Sequence, residues 1–173
     1  QLEADWHPWR DSALVRFNAA CASGRPAPLP ASLLPLLRRS RELVDASDGL
    51  FDPGIGALVR LWGFHTSDYP LSTPPPDAEA IARWLDSAPR LRQLRAREDG
   101  LFECANPALQ LDFNAIAEGA ALTRAGALLD SLEAGNALLN LGGDVLALGD
   151  AGGRPWRVGV RDPAGGVLAS LAL

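Results

Sequence analysis

The strongest constraint on the fold is the segment at residues 111–135, where an alternating apolar run stops at Asp112 and a helix of small residues begins at once. Strand-like alternation lies on both sides of this helix, whereas the first ninety residues have helical periodicity. Because regular βαβ alternation is lacking, the order predicts an α+β fold with a mostly antiparallel sheet and packed helices. Predicted helices begin at Asp11 or Ser12, at Ser32, after the turn at 52–54, at Asp77 and at Asn114; predicted strands are 91–96, 101–105, 108–113, two within 137–148, 156–163 and 166–173.

The chain of 173 residues is long enough for one domain with a real core. Residues 66–77, TSDYPLSTPPPD, contain three successive prolines, which neither continue a helix nor donate to a sheet. We therefore expect a single domain over residues 1–173, with 66–77 as a proline-rich surface connector. Since Met is absent, we expect Gln1 to have been exposed by processing or cutting.

The composition argues against several partners and one kind of catalysis. The formal net charge is −5, which argues against nucleic acid or an anionic membrane surface as a partner, because either would require clustered positive charge. All 16 cationic side chains are Arg, so lysine-dependent catalysis is excluded. The sequence contains no run of 18 apolar residues, so no transmembrane helix is predicted.

The cysteines and histidines give weaker signals. Cys21 and Cys104 match no metal-binding spacing, and the sequence leaves open whether they are buried or free thiols or a disulfide. His65 follows a predicted helix end, where a cation is favourable, and we interpret it in that role. His7 lies near Trp9 in an aromatic lead-in that either stacks on a flat ring such as flavin or adenine, or fills core.

The start of the helix at Asn114 predicts either a cap or an anion site. Asn114 is a good N-cap, and Ala115, Ala117 and Gly119 leave the first amides unshielded, so that a phosphate could approach them. Glu118 repels a bare phosphate but tolerates one bridged by a divalent cation. In the alternative interpretation, Glu118 complements the helix dipole and the small residues allow tight packing.

Two further groups of residues have the same double interpretation. Gly142 and Gly143, followed by Asp144, permit close approach of the backbone to a ligand, or merely form a bulge. Asp48 and Asp52 are explained as turn and cap residues when taken alone. These signals become useful only when they are combined.

Taken together, five segments resemble the ApbE family of FAD:protein FMN transferases. The resemblance covers essentially the whole chain but only the middle of the family. We expect the family's first strand and its C-terminal segment of metal ligands to be missing, so that this chain alone is inactive. The matching segments are DSALVRFN at 11–18, SDGLFDPGIGALVRLWGF at 47–64, LDFNAIAEG at 111–119, LLNLGGDVLALG at 138–149 and WRVGVRDP at 156–163.

The resemblance implies an ApbE-like, T-fold-like core present as a partial domain. It implies magnesium-dependent transfer of FMN from FAD to a Thr or Ser hydroxyl of a target protein, with release of AMP. The implied partners are flavin-carrying subunits of membrane redox complexes, and the implied location is the periplasmic side of a bacterial inner membrane. The open sheet edge at 167–173 suggests a homo-oligomer. The alternative is a degenerate flavin-binding or scaffold protein, because Ala120 and Thr123 stand where many members have Tyr and Asp.

The resemblance also assigns roles to individual residues. Trp9 takes the place of the family's flavin-stacking aromatic residue. The backbone carbonyl of Ala115, in preference to that of Ala117, is the expected magnesium ligand, because only a carbonyl at the helix start can face an ion there. Glu118 occupies a position that is often Lys. The full set expected to bind FAD is Trp9, Asp48, Asp52, Asn114, Ala115, Ala117, Glu118, Gly119, Gly142, Gly143 and Asp144.

Overall fold

The computed structural model describes residues 2–173, and the chain divides into two compact units, Gln1–Ala115 and Ile116–Leu173. The predicted mixture of helices and antiparallel strands is confirmed, with the strands paired as three separate hairpins. The helices are α1 Leu2–Trp6, α2 Ala13–Ala22, α3 Leu34–Ala46, α4 Gly56–Leu61, α5 Ala78–Ser87 and α6 Asn114–Ser131; the strands are β1 Leu94–Ala96, β2 Phe102–Cys104, β3 Ala137–Leu141, β4 Asp144–Leu148, β5 Arg157–Arg161 and β6 Val167–Ala172.

Helix α2 contributes a buried face to the first unit. Ser12 caps it, as one of the two predicted caps, by accepting a hydrogen bond from the Val15 N–H at 3.0 Å. Phe17 and Cys21 lie one turn apart on its buried face. Cys21 forms a disulfide with Cys104 of β2, which settles the alternative that the sequence left open and fixes the helix to the β1–β2 hairpin.

The predicted strand at 108–113 is wrong. Its backbone groups are used individually: the Gln110 carbonyl accepts from the Gly56 N–H at 2.8 Å, and the Asp112 N–H donates to the Pro53 carbonyl at 2.8 Å. Gly56 permits this contact, because a Cβ there would lie 2.8 Å from the Gln110 oxygen. The alternation of buried leucines therefore reflects an extended segment threaded through the core, where loops and side chains replace a partner strand.

The predicted strand at 91–96 is shortened for a similar reason. Residues Leu91–Gln93 form a 3₁₀ turn, and only β1 continues as a strand. The hairpin to β2 turns at Asp99 and Gly100, as predicted. There the hydrogen bond from the Arg97 guanidinium holds the pKa of the Asp99 carboxyl below its usual value.

The second unit consists of most of α6 and two hairpins. Strands β3 and β4 pair antiparallel around a turn at Gly142 and Gly143, which confirms the predicted bend. Strands β5 and β6 form the second hairpin, as predicted, and all six residues of β6 are exposed. Within residues 2–173, no helix combines the length and the apolar character needed to cross a membrane.

Candidate functional site

A cavity of about 500 Å³ lies in the first unit and is the candidate ligand site. Its volume falls in the range of about 300–1,000 Å³ that is typical of small-molecule sites. One wall is a face of α2, and the other walls come from the lead-in to α2, from α4 and from the segments that follow it. The lining residues are Pro8, Trp9, Val15, Asn18, Ala19, Ala22, Arg60, His65 and Gln110.

Asp112, His65 and Trp9 contact one another in succession beside the cavity, and His65 and Trp9 line it. The His65 Nε2 atom lies 2.9 Å from the Asp112 Oδ2 atom, and both side chains are less than 10% exposed. The Trp9 ring stacks on the His65 ring, with the centroids 5.3 Å apart and an interplanar angle of 19°. His7 packs against Trp9 edge-on at 4.3 Å. The predicted flavin-stacking residue Trp9 thus lines the cavity and is held there by a second aromatic ring.

Asp112 also organises the start of α6. Its Oδ1 atom accepts the Asn114 N–H at 2.9 Å. Asn114 itself is the first residue of the helix and is exposed, so the prediction that Asn114 caps the helix is wrong. The capping carboxylate comes from two residues earlier because Asp112 reaches forward in an Asx-type turn.

Asn18 fixes the extended segment that carries Asp112. Its side-chain amide donates to the Leu111 carbonyl and accepts from the Leu111 N–H, both at 2.9 Å. This pair of bonds imitates the pairing of a neighbouring strand. The cavity wall on α2 and the Asp112 carboxylate are therefore connected through one buried residue, Leu111.

Asp48 and Asp52, both predicted to lie in the pocket, have different surroundings. Asp52 is 8% exposed, and its carboxylate accepts the N–H groups of Gly54 at 2.7 Å and of Leu91 at 3.0 Å. It fixes the 3₁₀ turn before β1 and is not among the residues that line the cavity. Asp48 is exposed at the end of α3 in a left-handed conformation, with φ of 51°. A role of either carboxylate in binding FAD stays a prediction.

The first turns of α6 place the other predicted residues at the surface. Asn114, Ala115, Glu118 and Gly119 are exposed, and Ala117 is half-buried. Ala115 is the second residue of the helix, so its carbonyl points along the helix axis toward the C-terminus. Among the side chains that the structure describes, at residues 4–173, no group of three His, Cys, Asp or Glu could hold a metal ion. The role of Ala115 as a magnesium ligand stays a prediction.

In the second unit, the Glu118 carboxylate lies against the backbone of Gly142. A Cβ atom on Gly142 would come within 2.6 Å of the Glu118 Oε1 atom and 2.7 Å of its Cδ atom. Gly142 also has φ of 64° and Gly143 has φ of 114°. The two glycines make the tight turn, and Asp144 begins β4 with an exposed side chain. In this structure the Glu118 side chain lies close to the turn, and a role of Gly142, Gly143 and Asp144 in binding FAD stays a prediction.

Four polar residues of the cavity were not predicted: Asn18, Arg60, His65 and Gln110. Asn18 and Arg60 lie inside the quoted segments 11–18 and 47–64, so a helical-wheel analysis of those segments could have found them. His65 was interpreted as a helix-end cation, which misses its contact with Asp112. No local pattern indicates that contact, because the two residues are 47 positions apart.

The fold and the cavity beside Trp9 describe an α+β protein with a candidate ligand site, and comparison with known proteins identifies the family. The ApbE family model matches residues 1–173, and the chain belongs to that family. The chain is 42% identical over 174 residues to an FAD:protein FMN transferase of Rhodobacter capsulatus, covering 100% of this chain and 33% of the relative. It is 31% identical to that of Klebsiella pneumoniae, covering 94% and 48%.

Solved structures agree with this assignment. The apo form of the Pseudomonas stutzeri flavinyl transferase ApbE matches with a TM-score of 0.80 and 31% identity, covering 100% of this chain and 53% of that one. The ApbE protein of Thermotoga maritima also matches with a TM-score of 0.80, and at 24% identity it supports the fold alone. The chain thus spans a third to about half of the length of these relatives.

Proposed function

We propose that the protein transfers FMN from FAD to a Thr or Ser hydroxyl of a target protein, with release of AMP. The observation that carries this proposal is the position of Trp9, because the residue assigned to flavin stacking lines a cavity of suitable size in a chain of the ApbE family. Its relatives are FAD:protein FMN transferases, which supports transfer of FMN from FAD to a protein. Aromatic stacking supplies much of the affinity for a planar ring.

The cavity residues fit such a ligand chemically. Trp9 offers an aromatic ring, and Asn18 and Gln110 place amide groups at the cavity surface. Arg60 also lines it and forms no ion pair with any described residue, so its guanidinium is available to an anionic group. In the reaction, the hydroxyl oxygen loses its proton to solvent and forms a bond to the FMN-side phosphorus, while the pyrophosphate bond breaks and AMP leaves with the electron pair.

Magnesium is part of the proposal for the whole protein. When bound, it would neutralise the pyrophosphate charge. The backbone carbonyl of Ala115 stays the predicted ligand, but the described residues supply no cluster of acidic ligands, and we derive no step through the metal.

To test this proposal, the full-length protein is incubated with FAD, magnesium chloride and a target domain. Covalently bound flavin on the target is then detected by fluorescence in a denaturing gel. We expect labelling that EDTA abolishes and that Trp9→Ala reduces by up to about 10-fold, as expected for the loss of an aromatic stacking partner. Trp62→Ala is the matched control, because Trp62 is 38% exposed and is absent from the cavity lining.

The outcomes separate two functions. FAD binding without labelling, beside an active family member as positive control, would favour the degenerate flavin-binding protein. Neither binding nor labelling would reject both.

We also propose a location outside the cytoplasm, at the periplasmic side of an inner membrane, with flavin-accepting subunits of membrane redox complexes as partners. The Cys21–Cys104 disulfide supports an oxidising compartment. Cell fractionation with maleimide labelling of the two cysteines tests this location, and reduced cysteines in a cytoplasmic fraction would contradict it.

We also propose self-association through β6, because its exposed Val167 and Leu168 form an uncovered apolar edge. Sedimentation velocity tests this, and a monomer would exclude it.

A further inference from the structure

We propose that His65 is a positioning residue: anchored by Asp112 and stacked on Trp9, it fixes the Trp9 ring for stacking with the planar ring of the ligand. This inference rests on the proposed function for the identity of the ligand. The arrangement of the three side chains is independent of that function.

The anchor of His65 is rigid. Asp112 is 7% exposed, and its two carboxylate oxygens have separate partners, the Asn114 N–H for Oδ1 and the His65 ring for Oδ2. The backbone N–H of Asp112 is held by the Pro53 carbonyl. Because Oδ1 and the backbone N–H of Asp112 are held independently of His65, Oδ2 is offered in one position, and the hydrogen bond to it orients the His65 ring.

The His65 ring in turn orients Trp9 through stacking of the two rings. The two rings are nearly parallel, at 19°, and their centroids lie 5.3 Å apart, which is an offset-stacked geometry. Trp9 belongs to no helix or strand, since α1 ends at Trp6 and α2 begins at Ala13. A large side chain on such a segment needs side-chain contacts to keep one rotamer. His65 supplies such a contact on the ring face, and His7 supplies one at the edge.

The consequence for binding is preorganisation. A Trp9 ring that is already fixed loses less conformational entropy when a planar ligand stacks on it. Removal of the stacked partner should therefore weaken binding of the ring without affecting recognition of the phosphates. His65 acts through Trp9 and is not assigned a role in the chemical step.

The test uses the full-length protein labelled with 5-fluorotryptophan and measures the fluorine NMR resonance of Trp9, assigned by its loss in Trp9→Phe. In His65→Gln, which keeps a hydrogen-bond donor near Asp112 but removes the ring, we expect the Trp9 resonance to shift and broaden while the other tryptophans are unchanged. The Kd for riboflavin should rise about 2- to 10-fold, and the Kd for ADP should stay within about twofold.

A second variant protects the test against misfolding. His65→Phe alone would leave the buried Asp112 Oδ2 without a partner, so it is combined with Asp112→Asn, which removes the charge and keeps an oxygen for the Asn114 N–H. This double variant keeps an aromatic ring against Trp9 but loses the hydrogen-bonded anchor. We therefore expect the Trp9 resonance to shift and broaden less than in His65→Gln, and the riboflavin Kd to lie between those of His65→Gln and the parent.

The results decide the two proposals separately. An unchanged Trp9 resonance and an unchanged riboflavin Kd in His65→Gln would overturn the positioning role and leave the flavin assignment intact. If the parent protein does not bind riboflavin or FAD, the proposed function fails, while the fluorine spectra of His65→Gln still decide whether His65 fixes Trp9.

Discussion

Truncation of Asn18 should be among the most damaging single changes to the first unit. Asn18 makes two hydrogen bonds of 2.9 Å to the backbone of Leu111, a residue that is 1% exposed. In Asn18→Ala the Leu111 N–H and carbonyl both lose their partners. A buried polar group left without a hydrogen bond costs about 1–3 kcal/mol, so the two together cost about 2–6 kcal/mol.

The cavity beside Asn18 moves this expectation toward the lower end. Asn18 lines the cavity, so water can enter the space left by its side chain and reach the Leu111 groups. We therefore expect Asn18→Ala to lower the free energy of unfolding by about 2–4 kcal/mol. Asn18→Asp should also be destabilising, because the isosteric carboxylate still accepts the Leu111 N–H but cannot donate to the Leu111 carbonyl.

The assay is urea unfolding followed by tryptophan fluorescence. Trp6, Trp9, Trp62 and Trp84 lie in the first unit and only Trp156 lies in the second, so this signal reports mainly on the unit that contains Asn18. Arg16→Ala is the matched control on α2, since Arg16 pairs with Asp11 in an exposed ion pair and its loss should cost at most about 1 kcal/mol. If Asn18→Ala loses no more stability than Arg16→Ala, the cross-link to Leu111 contributes nothing and the reasoning is refuted.

Two further predictions concern the disulfide and the glycine turn. Reduction of the Cys21–Cys104 disulfide, which joins residues 83 positions apart, should lower the free energy of unfolding by up to about 4.5 kcal/mol. The loss is measured as a decrease of the urea midpoint with reductant, and a Cys21→Ala/Cys104→Ala variant that unfolds at the oxidised parent's midpoint would contradict it. Gly142→Ala should cost about 1–3 kcal/mol, because φ of 64° strains a residue with a Cβ, whereas the exposed Glu118 carboxylate can move away from the added methyl group. Urea unfolding measures this cost, and a Gly142→Ala variant as stable as the parent would contradict the strain at this turn.

Local signals in the sequence predicted the elements that depend on local physics. Ser12 caps α2 and Asp99-Gly100 turns the hairpin because each acts on backbone groups two or three positions away. The bend at Gly142 and Gly143 was predictable because positive φ selects glycine. Trp9 was placed in a pocket by the family resemblance and not by its neighbours in the sequence.

The failures come from contacts over long sequence distances. Alternation at 108–113 predicts a strand, but the partner of Leu111 is the side chain of Asn18, 93 residues earlier. The role of His65 was missed for the same reason, because its partner Asp112 lies 47 positions later and is brought to it only by the tertiary fold. A side chain that takes the place of a strand leaves no periodic signal, so propensity and pattern cannot distinguish the two.

These long-range contacts explain why polar groups gather where the run LDFN meets α6. Asp112 uses one oxygen for the first amide of the helix and the other for His65, so a single carboxylate fixes both the helix start and the cavity wall. A shift of Asp112 would therefore disturb both features at once, and Asn18 and Pro53 hold the segment on either side against such a shift. An aspartate that accepts only one hydrogen bond would be sufficient for a cap. The second bond, to a ring that supports Trp9, is what a ligand site requires, and it is the reason to regard this junction as functional and not only as the start of a helix.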